Sequence, residues 1–283
     1  MTRDASETII LGSPDQSAET LQRRVIYDFG ANNGDDIPYY LKKADVVVAA
    51  EANPALCRGI EARFPEAIGA GRLQVVNCVV AAEGSRSEVY FYLHKRHHVL
   101  GQFPEPDASV MGDFEKVLLP SKSVMQIIEE HGAPYYIKID IEHYEEVILK
   151  ELFRNGVKPA FLSAEAHSIQ VFALMAGMGE YTAFKLVDGE TVAKKYKRHS
   201  IRVGDGLEPY SFPAHSAGPF GEDVAGKWMN ADDLFHVLAK EGLGWKDIHA
   251  TNLLQLDSGS QVGKRRQKMR HLRGWVGVKL RGR

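Results

Sequence analysis

At 283 residues, with 44% hydrophobic and 25% charged side chains, the chain can form one large α/β domain, or a domain with a sizeable appendage. Its net charge of −2 gives no global pull toward nucleic acid, and no apolar run approaches the ~20 residues of a membrane-spanning helix. The two cysteines, Cys57 and Cys78, form no C-x-x-C pair, which argues against a zinc ribbon or disulfide scaffold and fits a reducing, cytoplasmic setting.

Residues 1–24 lack a basic n-region followed by an apolar stretch and are expected to be a flexible lead-in rather than a signal peptide. The first strand is Val25-Ile26-Tyr27, closed by Asp28 and Gly30. A helix should follow, with Asp35 or Asp36 as N-cap, Pro38 in its first turn, and Ile37, Tyr40, Leu41 and Ala44 at helical spacing. Val46 to Ala50 is a second strand ending in Glu51, and Asn53 and Pro54 start the next helix. Leu73 to Val80 reads as one strand and Glu88 to Leu93 as another. Ser123 to His131 is a short helix. Tyr135 to Ile139 is a strand ending at Asp140, followed by a helix from about Tyr144 to Arg154. A strand over Ala160 to Ala164, a helix over Ile169 to Met178 and a strand over Tyr181 to Val187 complete the alternation. Alternating short apolar runs and helices mark βαβ units, hence a mostly parallel sheet with helices on both faces over a core of residues 25–187.

Residues 188–283 read as an appendage. Gly204 to Gly226 is a Gly/Pro-rich stretch, expected to be a long functional loop or lid. Asp232 to Glu241 is an amphipathic helix closed by Gly242. From Lys264 to Arg283 there are many Lys and Arg and no Asp or Glu, so this tail is where a weak anionic-surface contact is expected. Nothing in the pattern specifies an oligomeric state.

In an open parallel sheet, ligands bind beyond the carboxyl ends of the strands. Asp28, Glu51, Asp140 and Glu165 each end an apolar run there, more carboxylates than helix capping needs, since like charges repel. A ligand with an ammonium, a sulfonium and ribose hydroxyls would use them. Gly30 and Gly34 allow a tight first turn, but Asn32 stands where the dinucleotide fingerprint G-x-G-x-x-G needs its middle glycine. A nicotinamide-dependent oxidoreductase is disfavoured on that ground. Glu51 lies at the spacing of an acid that accepts from both ribose hydroxyls, and Asn77 to Val79 are where adenine would lie by topology.

DFGANNG (28–34), VVAAEANP (47–54), VVNCVVAAEGSRSEVYFY (75–92) and YYIKIDIEHYEEVIL (135–149) together resemble the FkbM-type methyltransferase family. The family's forms are D-x-G-A-N-x-G, a strand ending E-x-x-P, and K-x-D-x-E-G-x-E; the resemblance spans about Val25 to His167. It implies a class I, Rossmann-like methyltransferase sheet. It also implies S-adenosyl-L-methionine as cofactor and methyl transfer to a hydroxyl, often on a glycan or glycolipid. One position departs: His143 stands where the family has glycine, which could reshape or block the acceptor site and leave a cofactor-binding, catalytically silent module.

Strand alternation puts Tyr136, Lys138 and Asp140 on one face, and Lys138 in a covered strand needs a carboxylate partner such as Asp140. Ser163, Glu165 and His167 share a face of the next strand. The candidate cofactor residues are therefore Asp28, Gly30, Asn32, Gly34, Glu51 and Asn77. His167 or Asp140 is the candidate base, with His143 as rival and Glu142 orienting the acceptor. The Asp140–His167 carboxylates and imidazoles would also suit Mg²⁺ or Mn²⁺, but no metal ligand is assigned. His94, His97 and His98 read as a solvated basic loop.

Overall fold

The computed structural model describes residues 23–97, 100–254 and 256. The lead-in before residue 23, His98 and the basic tail 264–283 lie outside the described residues.

Strand β1 (Val25–Phe29) is buried along its whole length, as a near-continuous apolar run demands. Helix α1 (Ile37–Tyr40) is a single turn, shorter than the apolar spacing through Ala44 suggests. Its expected cap, Asp36, makes no capping bond; the carboxylate is turned to a distant segment, accepting from the Ser216 hydroxyl and the Ala217 N–H. Strand β2 (Val46–Glu51) and helix α2 (Pro54–Arg63) follow, with the Asn53 side chain accepting from the Ala55 N–H at 2.9 Å. A short helix α3 (Pro65–Gly69) leads on.

The run from Leu73 to Val80 is two strands, β3 (Leu73–Asn77) and β4 (Val79–Ala81), not one. Asn77 divides it: its amide donates to the Glu51 and Ala52 carbonyls, each at 3.0 Å, so β3 is tied to the end of β2 and the chain turns at Cys78. Strand β5 (Glu88–His94) falls where expected, but β6 (Phe114–Ser123) is unannounced by the pattern because Lys, Glu and Pro interrupt its alternation. β6 pairs parallel with β4 and antiparallel with β5 in a small side sheet.

Helix α4 (Val124–His131), β7 (Pro134–Ile139), α5 (Glu145–Arg154), β8 (Phe161–Glu165), α6 (Ile169–Gly177) and β9 (Ala183–Asp188) continue the alternation. Helix α7 (Val192–Lys195), a hairpin of β10 (His199–Val203) and β11 (Gly206–Tyr210), helix α8 (Ala231–Glu241) and β12 (Lys246–Thr251) complete the fold.

The main sheet has the order β3-β2-β1-β7-β8-β12-β9. β12 runs antiparallel to both neighbours, while the β3-β2-β1-β7-β8 pairings are parallel. The sheet thus extends past the expected boundary at 187 to Thr251, and the presumed appendage supplies one of its inner strands. Helices α4, α5, α6 and α8 bury Ile127, Ile148, Met175 and Leu234 on one face. On the other, α1 and α2 bury Ile37 and Ile60.

The 204–226 stretch is a packed strap rather than an open loop. Phe212, Phe220 and Val224 are buried, and Phe220 stacks on Tyr136 at 4.0 Å and 11°. Its aromatics cover the sheet face where β7 and β8 would otherwise be bare. Among the described residues no helix is long and apolar enough to cross a membrane.

Candidate functional site

Strand order reverses between β1 and β7, and at such a switch point the loops leaving the two strands diverge and open a crevice. A cavity of about 520 Å³ occupies it, within the ~300–1,000 Å³ usual for small-molecule sites. The β1 turn and the ends of β2, β7 and β8 form its floor. The side sheet forms one wall, and residues 215–217 with Gly244, Trp245 and Asp247 the other.

The turn is fixed by sterics. Gly30 has φ +83°, and a Cβ there would lie 1.7 Å from the Asp140 carbonyl oxygen, so only glycine fits where the turn crosses the end of β7. Gly34 lies off the cavity; a Cβ there would meet Ile37 at 2.9 Å and Ile60 at 3.0 Å, so this glycine serves packing. Asn32 lines the cavity, and its N–H donates to Glu51 Oε2 at 2.8 Å, while Glu51 Oε1 accepts from the Asn53 N–H at 2.8 Å. Burial pushes Glu51 up to about 7 against the pull of those two N–H groups. Each of its oxygens keeps a further lone pair.

Asp28 does not reach the cavity wall. Only 1% exposed, it lies beneath the turn with Lys138 Nζ 3.2 Å away. The same ammonium donates to the Gly30 carbonyl at 3.0 Å and lies 3.3 Å from Asp140 Oδ2. Lys138 therefore staples β1, the turn and β7 together, and the pairing with Asp140 expected for it is present. Asn77 also stands off the wall, shaping the end of β2 through its two carbonyl contacts. Its neighbours Cys78, Val79 and Val80 do line the cavity, facing Phe91, Leu93 and Phe103 across an apolar slot.

Asp140, Glu142, Glu165 and His167 converge on the opposite end. His167 Nε2 lies 3.6 Å from Glu165 Oε2 and 3.9 Å from Glu142 Oε2, and Nδ1 lies 3.6 Å from Glu145 Oε2. Glu145 is 1% exposed and anchored by the Ile141 N–H at 3.1 Å. Burial works against a charge on His167, but Glu145, Glu142 and Asp140 outweigh it and hold its pKa above the ordinary value. Burial and the neighbouring Asp140 push Glu142 up to about 7 and Glu165 up to about 11. Asp140 is also disfavoured by burial, yet Lys138 holds it below the ordinary carboxylate range.

His143 is exposed, absent from the wall, and rests its ring 4.1 Å from that of His167. Its φ of +71°, after Glu142 at +52°, explains why glycine suits this position: left-handed backbone disfavours a Cβ. The imidazole is not among the groups that line the cavity.

Two residues of the site carry no assignment from sequence. Glu145 sits in the first turn of α5, where acidic residues are unremarkable. Asp247 lies on β12, opposite Glu165 in the β8–β12 register, and its alternating Asp247-Ile248-His249-Ala250 run was the available signal. Among the described residues, Glu51, Asp140, Glu142, Glu165 and Asp247 line the cavity, and no Lys or Arg does. The arrangement suits a ligand bearing positive charge at one end, a hydroxyl pair near Glu51, and a flat apolar group between β4 and β5.

Among solved structures, the chain is similar to a precorrin-6y C5,15-methyltransferase from Geobacter metallireducens GS-15, with 12% identity, 67% of this chain and 75% of that chain covered, and a TM-score of 0.34. It is also similar to the C-terminal domain of precorrin-6Y C5,15-methyltransferase from Rhodobacter capsulatus, with 8% identity, the same coverages and a TM-score of 0.35. No curated protein sequence gives a significant match. The profile described as the methyltransferase FkbM domain matches residues 28–212, running from the first residue of the β1 turn into the strap. With that match covering well over half its length, the chain belongs to the FkbM methyltransferase family.

Proposed function

We propose that this protein transfers a methyl group from S-adenosyl-L-methionine to a hydroxyl of a glycan, glycolipid or related metabolite. The observation that carries this reading is a cavity at the switch point lined, among the described residues, by five carboxylates and no Lys or Arg. That lining matches a cofactor with a sulfonium and an ammonium and is a poor match to the pyrophosphate of a dinucleotide. Glu51 would accept from the ribose hydroxyls, the slot of Val79, Phe91, Leu93 and Phe103 would hold adenine, and Asn32 and Gly30 would border the methionine part. Bound there, the cofactor supplies an electrophilic methyl group on sulfur.

What the chain adds is position and a proton acceptor. His167 fits the acceptor role best. Its Nε2 faces the cavity side where Glu142 and Glu165 lie, and the anchored Glu145 lies 3.6 Å from its Nδ1, near it but not hydrogen-bonded to it. Asp140, held ionised by Lys138, is the weaker base, and His143 stands off the wall. Glu142 is placed to orient the acceptor hydroxyl.

Transfer of a labelled methyl group to a panel of neutral glycans and glycolipids tests this directly. His167→Ala should lower turnover by about 100-fold or more while leaving S-adenosylhomocysteine affinity intact. Equal losses of turnover and cofactor affinity would remove the base assignment. Absence of transfer to every hydroxylated acceptor, with transfer to an amine instead, would overturn the hydroxyl reading.

A further inference from the structure

The carboxylates at the acceptor end exceed what the chain itself neutralises. Asp140, Glu142 and Glu165 each offer an oxygen, and those atoms all lie within 4.8 Å of one another. Two oxygens on opposite sides of one Mg²⁺ at about 2.1 Å are about 4.2 Å apart, so small side-chain shifts bring the three onto one ion. Lys138 reaches only Asp140 of the three, and it is already shared with Asp28 and the Gly30 carbonyl.

Asp247 adds an independent observation. It is 4% exposed, lines the same cavity directly opposite Glu165, and no hydrogen bond or salt bridge joins its carboxylate to another described residue. Two ionised carboxylates facing each other across paired strands are unfavourable, and either a proton on one of them or a cation between them relieves the repulsion.

We propose that Asp140, Glu142 and Glu165 bind a divalent cation of the Mg²⁺ or Mn²⁺ type, with Asp247 accepting a hydrogen bond from a water on the ion. An all-oxygen donor set selects a hard ion. His167 stays outside the donor set, 3.6 Å from Glu165, where its Nε2 remains available to the acceptor. The use of the ion rests on the methyltransferase reading: beside the acceptor hydroxyl it favours loss of the proton that His167 receives.

The test is calorimetric titration of Mn²⁺ alone into the full chain after EDTA treatment and dialysis, with free Mn²⁺ followed by paramagnetic resonance. One site is expected, and Glu142→Gln and Glu165→Gln should each weaken it at least tenfold, while Glu130→Gln, in the outer pair with Lys122, leaves it unchanged. Circular dichroism confirms folding; should Glu165→Gln fail to fold, the Glu142→Gln result decides. No Mn²⁺ binding at millimolar concentration, or binding indifferent to the substitutions, overturns the site. S-adenosylhomocysteine titrated in parallel separates the two claims. Its binding without Mn²⁺ binding sinks the ion alone, and Mn²⁺ binding without it sinks the methyltransferase reading and keeps the ion.

Discussion

Asp223 and Asp247 are both 4% exposed, yet the molecule treats them in opposite ways. Asp223, in the strap, accepts from the Tyr39 hydroxyl at 2.9 Å, Lys43 Nζ at 2.7 Å and the Arg202 N–H at 2.9 Å. Asp247, at the carboxyl edge of the sheet, accepts from no side chain among the described residues and faces Glu165. Burying a carboxylate is costly unless donors replace water. The strap's carboxylate is therefore met by donors from α1, the segment after it and β10, an arrangement built for stability. The sheet edge gathers charge that the chain leaves uncompensated, the pattern expected where a ligand is handled.

The sharpest way to break this contrast is Asp223→Ala, which strands a buried ammonium, a phenol and a backbone N–H. Chemical denaturation should show a loss of about 3–5 kcal/mol, with ligand affinity of the folded fraction unchanged; a loss below 1 kcal/mol would erase the distinction. Next comes Glu51→Gln, which keeps one of the two N–H contacts through its single carbonyl oxygen, sets its own amide N–H against the other, and weakens acceptance from ribose hydroxyls. S-adenosylhomocysteine affinity should fall about tenfold or more, the equivalent of about 1.4 kcal/mol, with a modest fall in melting temperature from the N–H left unpaired.

Asp247→Asn should have the opposite sign to Asp223→Ala. Burial, followed by the charge of Asp140, pushes Asp247 up to about 8. The unfolded chain ionises near its ordinary value of 3.8, so stability is fully present below that pH and is lost as pH rises through about 8. With EDTA present, Asp247→Asn should therefore exceed wild type by on the order of 1–2 kcal/mol at pH 8, and the gap should close toward pH 4. A gap that widens on acidification contradicts the assignment. The smallest effect belongs to His143→Gly, which relieves left-handed backbone at φ +71° and should stabilise by about 1 kcal/mol with turnover within a few-fold of wild type.

The same contrast marks what could be read from the chain. Short-range patterns carry the parallel core: β1, β2, β7 and β8 appear as apolar runs, Asn53 and Ser123 announce α2 and α4, and strand-end acids locate the ligand edge. Long-range pairing is invisible to such patterns. Asp36 looks like a helix cap because its partners, Ser216 and Ala217, lie far along the chain. The 204–226 stretch looks like a lid because glycine and proline hide the burial of Phe212 and Phe220. β12 is missed for a related reason. Its place between β8 and β9 reverses chain direction, so no βαβ rhythm points to it, and Asp247 is missed with it. Gly34, Asp28 and Asn77 show the converse: residues of the expected motif that shape the site from behind its wall.

The claim beneath the whole account is that the cavity between the β1 turn and Glu51 holds S-adenosyl-L-methionine. Calorimetric titration of S-adenosylhomocysteine and, separately, NAD into the full chain tests it most directly. The account predicts one S-adenosylhomocysteine per chain and no heat with NAD at the same concentrations. NAD binding without S-adenosylhomocysteine binding would contradict it.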